Sequence, residues 1–274
     1  MKMMYTFEKR PVFIIADPHT FYDTLKNKVM GCEFMHDCIL FIAGDNGLGL
    51  TKPHIVINEC EQLNKIFAAK NVICFMIRGN HDNPSYFDGE TINMSNLHAI
   101  PDYTVVQVGD ENILCVGGAI SIDRVLRKQE HMNKVNCFKQ MFSTEEEVEE
   151  AKKRLIPSYW SDEIPTFNLE KLSQIGVKID HVITHTSPQF AFKNDAVGLD
   201  YWFRLDAELQ QDKLKERGVF TSIYAWLMEN GHNIKTWTFG HFHSHDEMEL
   251  GGCIFTALHR CDEIFDFKEI IFED

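Results

Sequence analysis

Short apolar runs recur along this chain, and each is closed by glycine and polar residues. The runs at 12–16, 39–43 and 72–77 are rich in β-branched and aromatic residues and too short for helices, so they read as buried strands. Between them the period changes. Residues 20–30 suit a helix that stops at Gly31. In 54–70, Ile55, Val56, Cys60, Leu63, Ile66 and Phe67 recur at near-helical spacing, with Thr51 and Pro53 as start signals. This βαβαβ order predicts parallel strands with helices packed outside them.

The pattern then shifts. Residues 104–108 and 113–116 read as strands joined across Gly109-Asp110-Glu111-Asn112, a hairpin-like break. The polar stretch 121–166 shows one clear helix at 144–155. Ser143 is its expected cap, Glu146 completes a capping box, and Lys152, Lys153 and Arg154 suit its C-terminal end. Strand-like runs return at 180–184, 235–239, 253–258 and 263–272, with helical patterns around 205–217 and 221–230. No repeat or low-complexity linker interrupts the order. The expectation is one domain over 1–274 with inserted segments at about 121–166 and 187–220.

Composition narrows the function. Lys and Arg number 27 against 41 Asp and Glu, a net charge of −14 over 274 residues. An acidic surface repels the phosphate backbone, which disfavours a nucleic-acid partner although a local basic groove would escape the count. No apolar run is long enough to span a bilayer, and 12–16 leads into Asp17-Pro18-His19, so it reads as a strand and not a signal peptide. Eight cysteines occur without a Cys-x-x-Cys pair; they read as reduced and structural, in a cytoplasmic setting.

The chemistry sits where the strand runs end. Asp17-Pro18-His19 follows the first, Gly44-Asp45-Asn46 the second, and Gly79-Asn80-His81-Asp82 the third. His185 follows 182–184, and Gly240-His241-Phe242-His243 follows 236–239. In a mainly parallel sheet these ends face one crevice. Each motif alone has an ordinary reading as a turn or a hydrogen-bonded core histidine; five in one chain point to a shared mixed N/O metal site suited to first-row divalent ions.

The ordered set Asp-x-His, Gly-Asp, Gly-Asn-His-Asp, His and Gly-His-x-His resembles the calcineurin-like metallophosphoesterase superfamily, from Asp17 to His243. The resemblance implies an α/β (α+β) fold of two packed mixed β-sheets flanked by helices, a four-layer αββα sandwich. It implies that Asp17, His19 and His243 bind one metal ion, that Asn80, His185 and His241 bind a second, and that Asp45 bridges both. His81 would stand beside the ions and aid the leaving group. The implied reaction is hydrolysis of a phosphate ester by in-line attack of a metal-bridging hydroxide. Manganese is the expected metal, with iron or zinc as alternatives. Two carboxylates against two dications leave a formal charge of about +2, able to draw in an anionic ester.

Two departures from the family pattern stand out. Many members carry an Asp three residues after the bridging Asp to orient the histidine, and here that position is Leu48; another acid, Asp82, is the candidate replacement. The protein Ser/Thr phosphatases carry an arginine next to it, and here it is Gly49, which disfavours that branch. In the first inserted segment Arg124 is the candidate phosphate clamp, whereas Arg127 and Lys128 are expected at the surface. Tyr159-Trp160 and Tyr201-Trp202 are expected to pack the insertions onto the domain in preference to stacking on substrate. His245 and Asp246 are not expected to be ligands. The leading function is thus a metal-dependent phosphoesterase acting on a small ester; the alternatives are a phosphodiesterase or nuclease, and a non-catalytic metal-binding scaffold of the same fold.

Overall fold

The computed structural model describes residues 4–20, 22–192, 198–264 and 266–272. In chain order the strands are β1 (Met4–Phe7), β2 (Val12–Ile15), β3 (Ile39–Ala43), β4 (Ile73–Ile77), β5 (Leu97–Ala99), β6 (Thr104–Val108), β7 (Glu111–Val116), β8 (His181–Thr184), β9 (Thr236–Phe239), β10 (Asp246–Leu250), β11 (Cys253–Ala257) and β12 (Lys268–Ile270). The helices are α1 (Tyr22–Gly31), α2 (Pro53–Ala69), α3 (Arg124–Met141), α4 (Glu145–Lys153), α5 (Leu169–Ser173), α6 (Leu199–Leu205) and α7 (Leu209–Glu229).

Two mixed sheets form. One has the order β12-β2-β3-β4-β5, parallel except for β12; the other is β1-β6-β7-β8-β9-β11-β10, in which the β6–β7 and β11–β10 pairs are antiparallel. The continuous apolar runs arise because the central strands are buried on both faces. In the first sheet Phe13, Ile15, Leu40, Ile42, Cys74 and Met76 turn outward onto Leu25 and Val29 of α1 and Val56, Leu63 and Phe67 of α2. The alternate residues Val12, Ile14, Ile39, Phe41, Phe75 and Ile77 turn inward, against Val106, Ile113, Cys115 and Ile183 of the second sheet. That sheet's other face carries Leu114, Val116, Val182 and Trp237 onto Phe220, Ile223 and Leu227 of α7. Helix, sheet, sheet and helix therefore stack in four layers, as expected. Phe75 lies between the sheets, stacked on Phe41 at 5.4 Å and edge-on to Tyr5 at 5.0 Å. Burying one such ring contributes about 1.5–3 kcal/mol.

Several elements differ from expectation. The cap of α4 is Thr144, not Ser143: the Glu147 amide donates to Thr144 Oγ1 at 3.2 Å, and Glu147 Oε2 accepts from the Thr144 amide at 3.0 Å. Glu147 thus completes the box assigned to Glu146, one residue further on. Helix α3 was not expected; among its residues only Arg124 is buried, so its apolar positions pack no core. The two patterns around 205–217 and 221–230 merge into one continuous 21-residue α7, and α6 before them was not expected. The run 263–272 yields only the three-residue β12. Strands β1, β5 and β10 were also missed. Residues 193–197 of the expected second insertion lie outside the described residues. Among the described residues no helix is long and apolar enough to cross a membrane.

Candidate metal centre

The loops leaving β2, β3, β4, β8 and β9 meet at one end of the two sheets. Cross-loop backbone bonds hold them: the His19 amide donates to the Asp45 carbonyl at 2.8 Å, and the Gly240 amide to the His185 carbonyl at 3.0 Å. Two glycines permit the approach. A Cβ on Gly79 would strike the Asp45 carboxylate, and one on Gly240 would strike Asp17. Five of the converging residues are held in the left-handed region: Asp17 (φ 56°), His19 (47°), Asp45 (52°), His241 (69°) and His243 (52°). Non-glycine residues reach this region at a cost of order 1 kcal/mol or more each, a strain typical of functional sites.

Two groups of side chains could each hold a cation. In the first, ligand atoms of Asp17, His19, Asp45 and His243 all lie within 4.8 Å of one another; in the second, those of Asp45, His185 and His241 do. Asp45 belongs to both. Asn80 joins the second group, its Oδ1 3.1 Å from His185 Nε2. All seven residues assigned by motif are therefore brought together. His81 stands beside them, its ring 4.9 Å from that of His19 and its Nε2 3.9 Å from Asp45 Oδ2.

The donor set fits divalent ions. Asp17 Oδ1 is buried and accepts no hydrogen bond, while its Oδ2 accepts from the His241 amide at 3.0 Å. A buried carboxylate oxygen left so is costly unless a cation faces it. Burial pulls the His19 and His243 pKa values down to about 4, and pulls His241 well below its ordinary value, so these rings offer lone pairs at neutral pH. Burial also pulls on His185, but the Asp45 and Asp17 carboxylates outweigh it and raise its pKa to about 10. A divalent cation would compete with that proton. For Asp45, burial pushes upward, yet His185 and His81 hold the carboxyl well below its usual range. Burial keeps Asp17 well above it.

Surrounding groups aim the ligands. His185 Nδ1 is 2.8 Å from the Ala43 carbonyl, which turns Nε2 toward Asn80 and Asp45. Asn80 Nδ2 donates to Ser121 Oγ at 3.2 Å, and Ser121 donates through Oγ and its amide to the two oxygens of buried Glu163, at 2.8 and 2.7 Å. Asp82 does not hold His81. Its carboxylate instead accepts from the amides of Asn46, Leu48 and Gly79 at 3.1, 2.9 and 2.7 Å, and so ties the β3 loop to the β4 loop.

A cavity of about 310 Å³ opens over the centre, lined by Asn80, His81, Arg127, Trp202, Lys213 and Phe242 among others. Arg124 is not among its lining residues. Its guanidinium is buried against Asp206 (Nε–Oδ2 2.5 Å) and Asp212 (Nη2–Oδ2 2.9 Å), which corrects its expected role as a phosphate clamp. Arg127, expected at the surface, faces the cavity instead and reaches His81. The i, i+4 pair of Asp123 and Arg127 was the one available signal for this, and without α3 it went unread. Trp202 lines the cavity too, contrary to a purely packing role, with Tyr201 edge-on to it at 5.1 Å. Tyr159 lies under Lys128 at 4.6 Å, and His245 pairs with Asp266 at 2.8 Å, away from the ligands.

The sequence profile of the calcineurin-like phosphoesterase family matches residues 10–245. No curated protein matches the chain. Among solved structures, a dimetal phosphatase from Danio rerio superposes with a TM-score of 0.52 at 11% identity, over 96% of this chain and 93% of that one. The phosphopantetheinyl hydrolase of Mycobacterium tuberculosis gives 0.41 at 14% identity, over 96% of both chains.

Proposed function

This chain belongs to the calcineurin-like phosphoesterase family and is a metal-dependent phosphoric ester hydrolase, and we propose that it hydrolyses small phosphate esters at a two-metal centre built on Asp45. The carrying observation is that Asp45 is shared by both groups of converging side chains. In this reading Asp17, His19 and His243 hold one ion, and Asn80, His185 and His241 hold the other. Such a pair supplies Lewis acidity and a water acidic enough to attack phosphorus near neutral pH.

The chain's own residues do the rest. Asp45 fixes the spacing of the two sets and also anchors the neighbouring loop, its Oδ1 accepting the His81 amide at 2.8 Å. His81, placed beside the ligands without joining either set, gives its Nε2 proton to the leaving oxygen. Trp202, Leu199 and Phe242 close the cavity with apolar surface, which suits the organic part of a small ester. The net charge of −14 also favours a small ester over a nucleic acid. Manganese is our preferred ion, because nitrogen and oxygen ligands without thiolate suit it. The eight free cysteines accord with a cytoplasmic location.

The test is a leaving-group series. His81→Ala should retain both metal equivalents, lose about two to four decades of kcat/KM on alkyl phosphates, and lose little on nitrophenyl phosphate, whose leaving group needs no proton. Equal losses across the series would remove His81 from proton transfer. Wild-type protein with two manganese equivalents that cleaves no phosphate ester would sink the hydrolytic reading itself.

A further inference from the structure

Resting on the phosphoesterase reading, we infer that Arg127 binds the phosphoryl group of the substrate and tunes the site to phosphate monoesters. Arg127 lies in the first turn of α3 and lines the cavity beside Asn80, His81 and His243. Two of its three guanidinium nitrogens are anchored. Nε bonds Asp123 Oδ1 at 2.7 Å, and Nη1 donates to the Ser158 carbonyl at 3.0 Å. The fork is therefore held in place before any ligand arrives, so little rotamer freedom is left to lose on binding.

The third nitrogen, Nη2, points at His81, 3.1 Å from Nε2 and 3.4 Å from Nδ1. Nearly equidistant from both ring nitrogens, it lies against the ring and is not committed to either lone pair. An imidazole ring is a weaker partner for a guanidinium than a phosphate oxygen, because a hydrogen bond between oppositely charged groups is roughly twice as strong as a neutral one. An entering phosphoryl group takes up the Nη2 hydrogens, and His81 is left free to turn its Nε2–H to the leaving oxygen. Leu48, at the position where relatives carry an orienting acid, offers His81 no side-chain hydrogen bond.

Charge and valence then set the preference. A monoester presents three non-bridging oxygens and close to two negative charges near neutral pH; a diester presents two and one. An additional fixed cation with a directed donor rewards the extra oxygen and the extra charge, and it gives a diester little.

The experiment uses the two-metal protein with 4-nitrophenyl phosphate and bis(4-nitrophenyl) phosphate, which share a leaving group, and calorimetric titration with inorganic phosphate. Arg127→Ala should keep both metal equivalents, lower kcat/KM on the monoester by about 10- to 100-fold, and weaken phosphate binding by at least about tenfold. The diester should lose less than about threefold. Arg127→Lys, which keeps the charge but not the fork, should recover part of the monoester rate, and it serves as the folded control should the alanine variant unfold. Equal losses on both esters, unchanged phosphate affinity, or loss of metal from Arg127→Ala would each overturn the assignment. If the wild type cleaves neither ester, the hydrolytic reading fails, and the phosphate titration still decides whether Arg127 binds the anion.

Discussion

Ser121 Oγ lies 3.2 Å from Asn80 Nδ2, so the amide nitrogen of Asn80 is occupied and its Oδ1 turns to His185. An asparagine can ligate a metal only through oxygen, and an unanchored amide can flip. Ser121 removes that freedom, and Glu163 in turn orients Ser121. Ser121→Ala should therefore weaken the second ion's binding by about 10- to 100-fold and leave the first nearly unchanged. Competitive chelator titrations resolve the two constants. A uniform drop in both, or none, would mean that Asn80 is oriented by other contacts.

Asp45 and His19 should behave differently. Asp45→Asn removes charge from both sets, so both equivalents should fall together. His19→Ala should empty mainly one. Elemental analysis after dialysis reads this directly, and an Asp45→Asn protein that retains two full equivalents would end the proposal that Asp45 bridges.

For Arg124 the expectation is structural. Its removal leaves Asp206 without its guanidinium partner and Asp212 with Lys215 alone, at 3.0 Å. Arg124→Ala should cost on the order of 2 kcal/mol, below the about 3–5 of a fully buried pair because Asp212 is partly exposed. Urea unfolding measures the loss. kcat/KM should change less than about threefold; a tenfold fall with unchanged stability would return Arg124 to the substrate.

The candidate ligands were legible because a parallel strand leaves its polar residues at one end, whichever helix follows. Asp17, Asp45, Asn80, His185 and His241 could therefore be placed without any knowledge of packing. The wall of the cavity could not. Helix α3 buries none of its apolar side chains, so nothing in its periodicity told Arg124 from Arg127, although one is buried in an ion-pair cluster and the other faces His81. Asp82 was misassigned for a related reason. Its neighbour in sequence is His81, but its carboxylate turns to amides 34 and 36 positions earlier. Strand β10 was missed because its residues are mostly exposed and charged at a sheet edge, a composition that blunts edge pairing and also hides the strand.

Two buried carboxyls give the stability a pH dependence. Burial raises Glu216 to about 7 and Glu163 to about 7, from ordinary values of 4.5. The folded state thus prefers their protonated forms. Their contribution is fully present below pH 4.5 and is lost as the pH rises through 7. Glu216→Gln keeps an acceptor for the Ile120 amide, which now donates to Glu216 at 3.1 Å, and removes the titration. The stability difference, variant minus wild type, should therefore increase between pH 4.5 and 8. Thermal unfolding across that range checks it, and a flat difference would mean that Glu216 stays ionised or hydrated when folded.

The left-handed backbone at Asp17, His19, Asp45, His241 and His243 marks the order in which this centre would decay if selection on it lapsed. Glycine and asparagine are more comfortable in that conformation than histidine or aspartate held against a neighbour's ring. Drift that favours only folding would thus be drawn to these five positions first. Asn80 and His185, which do not share the left-handed conformation, would relieve no such backbone strain on replacement. A descendant that had lost its reaction but kept its shape should be recognisable by a half-eroded set in which those two outlast the other five.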